Sequence, residues 1–205
     1  MARLTVTTFL SLDGVVQGPG GPEEDTSGGF DQGGWTVPYA DEDMGRLVSN
    51  WFAQSRAFLL GRKTYDIFAA YWPQVTDPDD PIAGPLNALP KHVVSRTLTD
   101  PQWQHSTVVG GDLTDAVRRL KVEVGETGEL QVHGSPTLVQ ALLDDGLVDE
   151  LRLLTFPVVL GAGRRLLEPG RTPTALRLVE SSTTASGITA NVYQPAGRPQ
   201  YGSFD

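Results

Sequence analysis

The chain contains no cysteine, and this absence removes several classes of chemistry at once. Disulfide bonds, thiolate nucleophiles and cysteine-ligated zinc or iron–sulfur sites are all excluded. Histidine is almost as scarce, because the three that occur, His92, His105 and His133, are scattered and show no metal-ligand spacing. The sequence therefore predicts a protein without a metal site.

Basic residues are also few. The chain has 16 lysines and arginines against 25 aspartates and glutamates, which gives a net charge of −9 at pH 7. This balance opposes binding to phosphate backbones and to anionic lipid surfaces, so we expect neither a nucleic-acid nor a membrane partner. A phosphorylated small molecule could bind only where the few cations are concentrated.

Long apolar runs are missing as well. No uninterrupted apolar stretch approaches the roughly 18 residues that cross a bilayer. The segment from Met1 to Leu10 is interrupted by threonines and runs into Asp13, which is typical of a strand and not of a signal peptide. We therefore expect a cytoplasmic protein.

Strand and helix patterns alternate along the chain. Residues 3–10 are β-branched and apolar, a helix pattern follows at 44–52, and further strand–helix pairs lead to a hairpin at 175–194. This order predicts an α/β fold of three layers: a mostly parallel central sheet with helices on both faces and an antiparallel C-terminal hairpin. A length of 205 residues fits one domain, which we place at residues 1–196, with a tail at 197–205.

Two strand-to-helix junctions have the chemistry of a phosphate site. Gly61-Arg62-Lys63-Thr64 places a glycine, two cations and a hydroxyl at one helix start, and Gly134-Ser135-Pro136-Thr137 forms another. Ligands of open α/β sheets bind at the carboxyl ends of the strands, where helix N-termini present free N–H groups. Simple helix capping is the alternative. Ser95-Arg96 supplies a third junction, and three of them in a chain with so few cations favour an anionic nucleotide, although the glycine fingerprint of Rossmann folds is absent.

Six short motifs occur along the chain in this order: Ser11-Leu12-Asp13-Gly14, Leu60-Gly61-Arg62-Lys63-Thr64-Tyr65-Asp66, Val94-Ser95-Arg96-Thr97-Leu98, His133-Gly134-Ser135-Pro136-Thr137-Leu138, Gly146-Leu147-Val148-Asp149-Glu150-Leu151 and Pro157-Val158-Val159-Leu160-Gly161-Ala162-Gly163. Together they resemble the dihydrofolate-reductase-like superfamily, and most closely the C-terminal reductase domain of RibD, the bifunctional deaminase/reductase of riboflavin biosynthesis. The resemblance implies a dihydrofolate-reductase-like sheet, NADPH as cofactor, and hydride transfer to a heterocycle or an open-chain sugar derivative.

The resemblance also implies which residues hold the cofactor. The stretch from Arg62 to Thr64 matches the helix start near the cofactor phosphates, and Ser95-Arg96 matches the contacts to the extra phosphate that distinguishes NADPH from NADH. The turn at 134–138 matches the pyrophosphate site, where many relatives have a second glycine in place of Ser135. The implied cofactor residues are Thr8, Gly14, Gly61, Arg62, Lys63, Thr64, Ser95, Arg96, Gly134, Ser135, Pro136, Thr137 and Leu138.

Dihydrofolate reductases engage their substrate with an acid at a helix start that follows a Trp-x-x-Pro stretch. Here Trp35-Thr36-Val37-Pro38 precedes Asp41 and Asp43, and either acid is the candidate catalytic residue. Counting back from Gly61 favours Asp43, whereas the logic of helix starts makes Asp41 an N-cap. The alternative is that these acids only cap the helix or face solvent. The candidate substrate contacts are Asp13 and Trp35.

The observations lead to one main function and two alternatives. The main one is an NADPH-dependent reductase that acts on a small heterocycle, pterin-like or pyrimidine-like, or on a carbonyl compound. One alternative is the reductase of a phosphorylated ribosylaminouracil in riboflavin biosynthesis, for which only Arg164 and Arg165 offer cations. The other is a non-catalytic nucleotide-binding or small-molecule-binding protein. Relatives pair through their sheets and the hairpin offers an edge strand, so we also expect a homodimer.

Overall fold

The structure is a computed structural model that describes residues 1–77 and 79–204. Its strands are β1 (Arg3–Ser11), β2 (Ser55–Gly61), β3 (Lys91–Val94), β4 (Ser106–Val109), β5 (Glu129–His133), β6 (Glu150–Phe156), β7 (Leu176–Thr183) and β8 (Thr189–Pro195). Its α-helices are α1 (Glu42–Phe52), α2 (Arg62–Tyr71), α3 (Ala83–Ala88), α4 (Leu113–Val124) and α5 (Pro136–Asp144). Short 3₁₀ helices cover Ser27–Gly29, Val37–Tyr39 and Trp72–Gln74.

All these strands form one sheet in the order β4-β3-β2-β5-β1-β6-β8-β7. The strands from β4 to β6 are parallel to one another, and β8 pairs antiparallel with both β6 and β7. The predicted fold, a mostly parallel sheet with an antiparallel C-terminal hairpin, is therefore confirmed.

Helices cover both faces of the sheet, as right-handed crossover connections require. One apolar cluster joins α1, α2 and α3 to the sheet through Trp51, Tyr65 and Leu86. The other cluster joins α4 and α5 to the opposite face through Val117 and Leu142. The sheet therefore carries a separate apolar core on each side.

The direction in which the connections run reverses between β2 and β5, which are neighbours in the sheet. Helix α2 follows β2 and packs on one face, whereas α5 follows β5 and packs on the other. At such a switch point a crevice opens outside the carboxyl ends of the strands, and ligands of open α/β sheets bind there. The fold thus places both predicted phosphate junctions at one crevice.

Candidate cofactor and substrate site

Gly61 ends β2 and faces the turn that follows β5. A Cβ atom added to Gly61 would lie 1.9 Å from Oγ of Ser135 and 2.6 Å from its Cβ atom. Atoms that are not bonded to each other cannot approach so closely, so only glycine lets the end of β2 meet this turn. The two predicted junctions are therefore in direct contact.

The turn after β5 has two residues in the left-handed region, Gly134 at φ 66° and Ser135 at φ 58°. Ser135 precedes Pro136, which lies in the first turn of α5, in agreement with the sequence interpretation. The N–H of Gly134 donates to the Thr7 carbonyl at 3.2 Å and so fixes the turn on β1. Among the described residues, a Cβ atom on Gly134 would meet only Thr64 Oγ1, at 3.8 Å. This leaves room for a ligand against the backbone.

The two cations in the first turn of α2 already have protein partners. Arg62 Nε donates to both carboxylate oxygens of Asp66, at 2.8 Å each. Lys63 Nζ donates to Asp25 Oδ1 at 2.5 Å and to Ser27 Oγ at 2.8 Å. The contact of Arg62 and Lys63 with cofactor phosphates stays a prediction, and it requires that these side chains exchange partners.

Ser95 and Arg96 follow β3, which is the neighbour of β2 in the sheet, so they lie at the same carboxyl ends of the strands. Ser95 Oγ accepts the N–H groups of Thr97 at 3.2 Å and Leu98 at 3.0 Å, which holds a tight turn. Arg96 is exposed and makes no hydrogen bond or ion pair with any residue that the structure describes. Its charge is thus available to an anion at this edge.

The glycine-rich segment between β1 and α1 is tied across the same edge. Gln17 Nε2 donates to the carbonyls of Asp25 at 3.1 Å and Ser27 at 2.9 Å, while Gln17 Oε1 accepts from the Arg164 N–H at 3.0 Å. The buried Asp25 carboxylate also binds the Arg164 guanidinium. Asp25 therefore joins this loop to Lys63 on one side and to the segment after β6 on the other. Sequence reasoning missed Asp25, since a stretch of glycine, proline and acids is typical of a solvated loop.

Trp35 is buried in an aromatic group at the ends of β1 and β6. Its indole N–H donates to the Gln17 carbonyl at 2.8 Å, and its ring meets Phe156 edge to face at 5.4 Å. The rings of Phe9 and Tyr39 also surround Phe156, at 5.6 Å and 6.2 Å. Trp35 thus forms part of an apolar wall, and its contact with substrate stays a prediction.

Asp13 ties two loops together beside this wall. Its carboxylate accepts from Ser11 Oγ at 2.7 Å and from the N–H groups of Leu160 at 3.1 Å and Gly161 at 2.9 Å. The hydrogen bond from Ser11, helped by the two backbone donors, lowers the pKa of Asp13 to about 2. Gly14 follows with φ 82°, a left-handed turn that favours glycine. Contacts of Asp13 with substrate and of Gly14 with cofactor stay predictions.

Both candidate acids face the tip of the β7–β8 hairpin. Asp41 caps α1 by accepting the Met44 N–H at 2.8 Å, and its other oxygen accepts the Ser186 N–H at 2.9 Å. The pKa of Asp41 lies far below its usual range, mainly because of the hydrogen bond from Met44. Asp43 accepts the Ala185 N–H at 3.2 Å. The N-cap interpretation of Asp41 is confirmed, and the catalytic role of either acid stays a prediction.

Two buried hydroxyls in the central strand have no partner among the described residues, and they belong to Thr7 and Thr8. Successive strand residues point to opposite faces, so Thr7 lies on the side of α1 and Thr8 on the side of α5. Because buried hydroxyls are nearly always hydrogen-bonded, each is available to bond with a water molecule or a ligand. Thr8 is one of the predicted cofactor contacts.

His133 ends β5 beside Thr7 and is held as a neutral side chain. Its Nε2 lies 3.1 Å from Gln131 Oε1, and the Gln131 amide N–H groups donate to Glu129 Oε2 at 2.8 Å and to a carbonyl of α1 at 2.7 Å. Since Gln131 can only accept from His133, the proton of the imidazole sits on Nε2. Burial, and then the charge of Arg152, lower the pKa of His133 to about 3. This leaves a hydrogen-bond acceptor, Nδ1, at the carboxyl end of the strand.

Comparison with known sequences agrees with this architecture. The model of the RibD C-terminal domain matches residues 2–190 of the chain. The uncharacterized protein YyaP of Bacillus subtilis is 28% identical over 193 residues, which cover 93% of this chain and 94% of that protein. The match extends over nearly the whole chain.

Solved structures give the same result. A putative riboflavin biosynthesis protein from Shewanella superposes with a TM-score of 0.71 at 22% identity, covering 96% of this chain and 99% of that one. A pyrimidine reductase-like protein from Corynebacterium diphtheriae gives 0.61 at 15% identity, covering 95% and 92%. RibD from Acinetobacter baumannii gives 0.57 at 15% identity, covering 96% of this chain and 58% of that chain. At these identities the likenesses show a shared fold.

Residues 1–77 and 79–204 contain neither a membrane-spanning helix nor a cluster of metal ligands. No helix there combines the length and apolar character needed to cross a membrane. The same residues contain no group of three or more histidine or acidic side chains arranged to hold a metal ion.

Proposed function

Since the chain belongs to the RibD C-terminal domain family and has its fold, we propose that it is an NADPH-dependent reductase. The proposed acceptor is a small heterocycle, pterin-like or pyrimidine-like, or a carbonyl compound. The observation that carries this proposal is the crevice at the switch point, where Gly61 and Ser135 meet between the starts of α2 and α5.

The residues of this crevice fit a dinucleotide. The backbone at Gly134 is open to a ligand, and the N-termini of α2 and α5 offer free N–H groups and positive dipole ends to a pyrophosphate. The buried Thr8 hydroxyl has no partner among the described residues and is available to a ligand. Arg96, with no partner among the described residues, suits the extra phosphate of NADPH.

NADPH supplies the hydride when it is bound, and the chain supplies binding and orientation. The aromatic wall of Trp35 and Phe156 would exclude water from the reacting face. His133 Nδ1 and the Thr7 hydroxyl, side by side on β5 and β1, would orient polar atoms of the substrate. Its hydrogen bonds keep Asp41 ionised at neutral pH, so it holds no proton to give. The carboxylate of Asp43 already accepts from Arg46 and from the Ala185 N–H. Water is therefore the proposed proton source.

A second candidate is the reductase of a phosphorylated ribosylaminouracil. It is favoured by the likeness to a protein described as a putative riboflavin biosynthesis protein. Such a substrate needs cations for its phosphate. The two arginines that could supply them, Arg164 and Arg165, both have carboxylate partners. Arg164 binds Asp25, and Arg165 Nη2 lies 3.6 Å from Asp13 Oδ2.

Oxidation of NADPH by the purified protein tests the proposal, with a panel of dihydropterins, aminopyrimidines with and without a ribose phosphate, and small carbonyl compounds. Turnover with the unphosphorylated compounds supports the main function, and turnover with the phosphorylated pyrimidine alone supports the second. NADPH binding without turnover on the whole panel favours a non-catalytic binding protein. A chain that does not bind NADPH contradicts both reductase functions.

A further inference from the structure

One buried carboxylate holds two cations that come from opposite sides of the site. Asp25 is 5% exposed as a side chain, whereas Lys63 and Arg164 are 45% and 44% exposed. Lys63 reaches Asp25 Oδ1 from the first turn of α2, and Arg164 reaches Oδ2 from the segment after β6. Ser27 completes the shell with its N–H at 3.1 Å and its hydroxyl at 2.7 Å from Oδ1. A single anion thus receives four donor groups.

This arrangement has the donor chemistry of a phosphate site. A lysine, an arginine, a hydroxyl and a backbone N–H that converge on one point are what a phosphate oxyanion requires. Here the chain itself provides the anion. The neighbouring Arg165 is also committed, because it lies near the Asp13 carboxylate and donates to the Asp13 carbonyl at 3.0 Å. The cations on this side of the site are therefore neutralised before a ligand arrives.

We infer that Asp25 sets the substrate specificity of this site by filling the position that a substrate phosphate would occupy, so that the protein accepts unphosphorylated compounds. The inference rests on the proposed reductase function and narrows its substrate class. A phosphorylated substrate would have to displace a buried carboxylate that already has four donors, or place its own charge against it. Displacement would cost the buried carboxylate its donors, and repulsion between like charges opposes a phosphate placed against it.

The substitution Asp25→Asn tests this inference, because it removes the charge and keeps the size and the contacts with Ser27. Lys63 and Arg164 would then point at the same place without an anion, and both are exposed enough to stay solvated. Asp31→Asn is the matched control, since it removes the same charge from the same loop at an exposed residue with no partner among the described residues. Calorimetric titration with ribose phosphate measures the result without need of turnover.

We expect Asp25→Asn to bind ribose phosphate at least about tenfold more tightly than the wild type and Asp31→Asn, the usual scale of a gained charge-assisted hydrogen bond. Adding Lys63→Gln to Asp25→Asn should remove the gain. If Asp25→Asn does not fold by circular dichroism, Asp25→Ser provides the same test with a smaller side chain. Wild-type protein that already binds ribose phosphate as tightly as the variants overturns the inference.

Repeating the titration with saturating NADPH separates the two sources of phosphate. A gain that persists supports a substrate-phosphate position. A gain that NADPH abolishes assigns Lys63 and Arg164 to the cofactor phosphates and overturns the inference on substrate. Titrating the wild type with NADPH before this step measures cofactor binding, so a failure of the proposed function is seen separately.

Discussion

Arg152 and Glu129 form a two-pronged ion pair inside the sheet, with Nη1–Oε2 and Nη2–Oε1 distances of 2.9 Å and 2.7 Å. Both side chains are 3% exposed. Arg152 also binds Glu150 at 2.9 Å, and Arg3 binds Glu129 at 2.7 Å from the end of β1. Glu129 accepts from Gln131, which in turn holds His133 in position. A polar network therefore runs from the amino ends of these parallel strands to the candidate site.

Glu129→Gln should destabilise the protein strongly. The substitution leaves the Arg152 guanidinium buried with half of its countercharge, which costs about 3–5 kcal/mol in proteins. Urea unfolding followed by circular dichroism measures the free energy of unfolding. The control is Glu126→Gln, whose exposed carboxylate pairs with the N-terminus at 3.4 Å and should change stability by less than about 0.5 kcal/mol. Similar stability of the two variants would contradict the structural role of the network.

Gly61→Ala should weaken NADPH binding by about tenfold or more. The new methyl group collides with Ser135 and forces the end of β2 away from the turn after β5, at a stability cost of about 1–3 kcal/mol. Fluorescence titration with NADPH and thermal unfolding measure the two effects. Gly45→Ala on α1 is the control, because its Cβ atom meets no described atom within 4 Å. That substitution should stabilise the helix by about 1 kcal/mol and leave the affinity unchanged.

Arg96→Ala should separate the two nicotinamide cofactors. Loss of a charge-assisted hydrogen bond should weaken NADPH binding by about 1.5–3 kcal/mol and leave NADH nearly unchanged. Titration of both cofactors checks the difference, with Arg119→Ala on α4 as the control for a lost surface charge. An equal loss for NADPH and NADH would show that Arg96 does not bind the extra phosphate.

Stability should fall in acid because of His133. Its pKa is about 3 in the folded protein and 6.5 as a free side chain, so between these pH values the unfolded chain holds a proton that the folded chain does not. His133 therefore costs about 1.4 kcal/mol of stability per pH unit as the pH falls below 6.5, or about 2 kcal/mol at pH 5. Urea unfolding at pH 6.5 and at pH 5 measures this loss of stability.

His133→Gln should remove that share of the acid sensitivity. His105→Asn is the control, because His105 is exposed and asparagine tolerates its left-handed backbone. Wild type and His133→Gln with the same pH slope would show that His133 takes up its proton in the folded state.

The proposed homodimer would use β7. This edge strand is exposed along its whole length and presents Leu176, Leu178 and Val179 to solvent. Sedimentation at micromolar concentration should give twice the chain mass of 22.1 kDa. Leu178→Lys should yield the monomer, whereas Leu167→Lys at another exposed site should not. A wild-type monomer would rule out this assembly.

The sequence predicted the parts of the fold that apolar periodicity records. The helix pattern at 44–52 lies within α1 (Glu42–Phe52), and the hairpin predicted at 175–194 is formed by β7 and β8, with its turn at Ser186 and Gly187. Helix α3 was not predicted, because its Gly84 and Pro85 are typical of a loop. Tertiary contacts of Leu86 with the core overcome that local preference.

The polar interior could not be predicted in the same way. Glu129 and Arg152 carry charges that sequence patterns assign to the surface, and only the register of β5, β1 and β6 brings them together. Asp25 was hidden for the same reason, because its partners Lys63 and Arg164 are distant in sequence. The glycines at 61 and 134 were predictable, because close backbone approach has a local residue signature.

The central position of β1 has a consequence for how the chain folds during synthesis. Its neighbours in the sheet are β5 and β6, and Arg3 meets Glu129 across 126 residues of sequence. At translation rates of roughly 5–20 residues per second, the first strand waits roughly 6–25 s for its partner to be made. During that time its apolar residues have no sheet to join, and sheets built from such distant pairings form slowly. The yield of folded protein should therefore depend on how well this strand is shielded until β5 has been made.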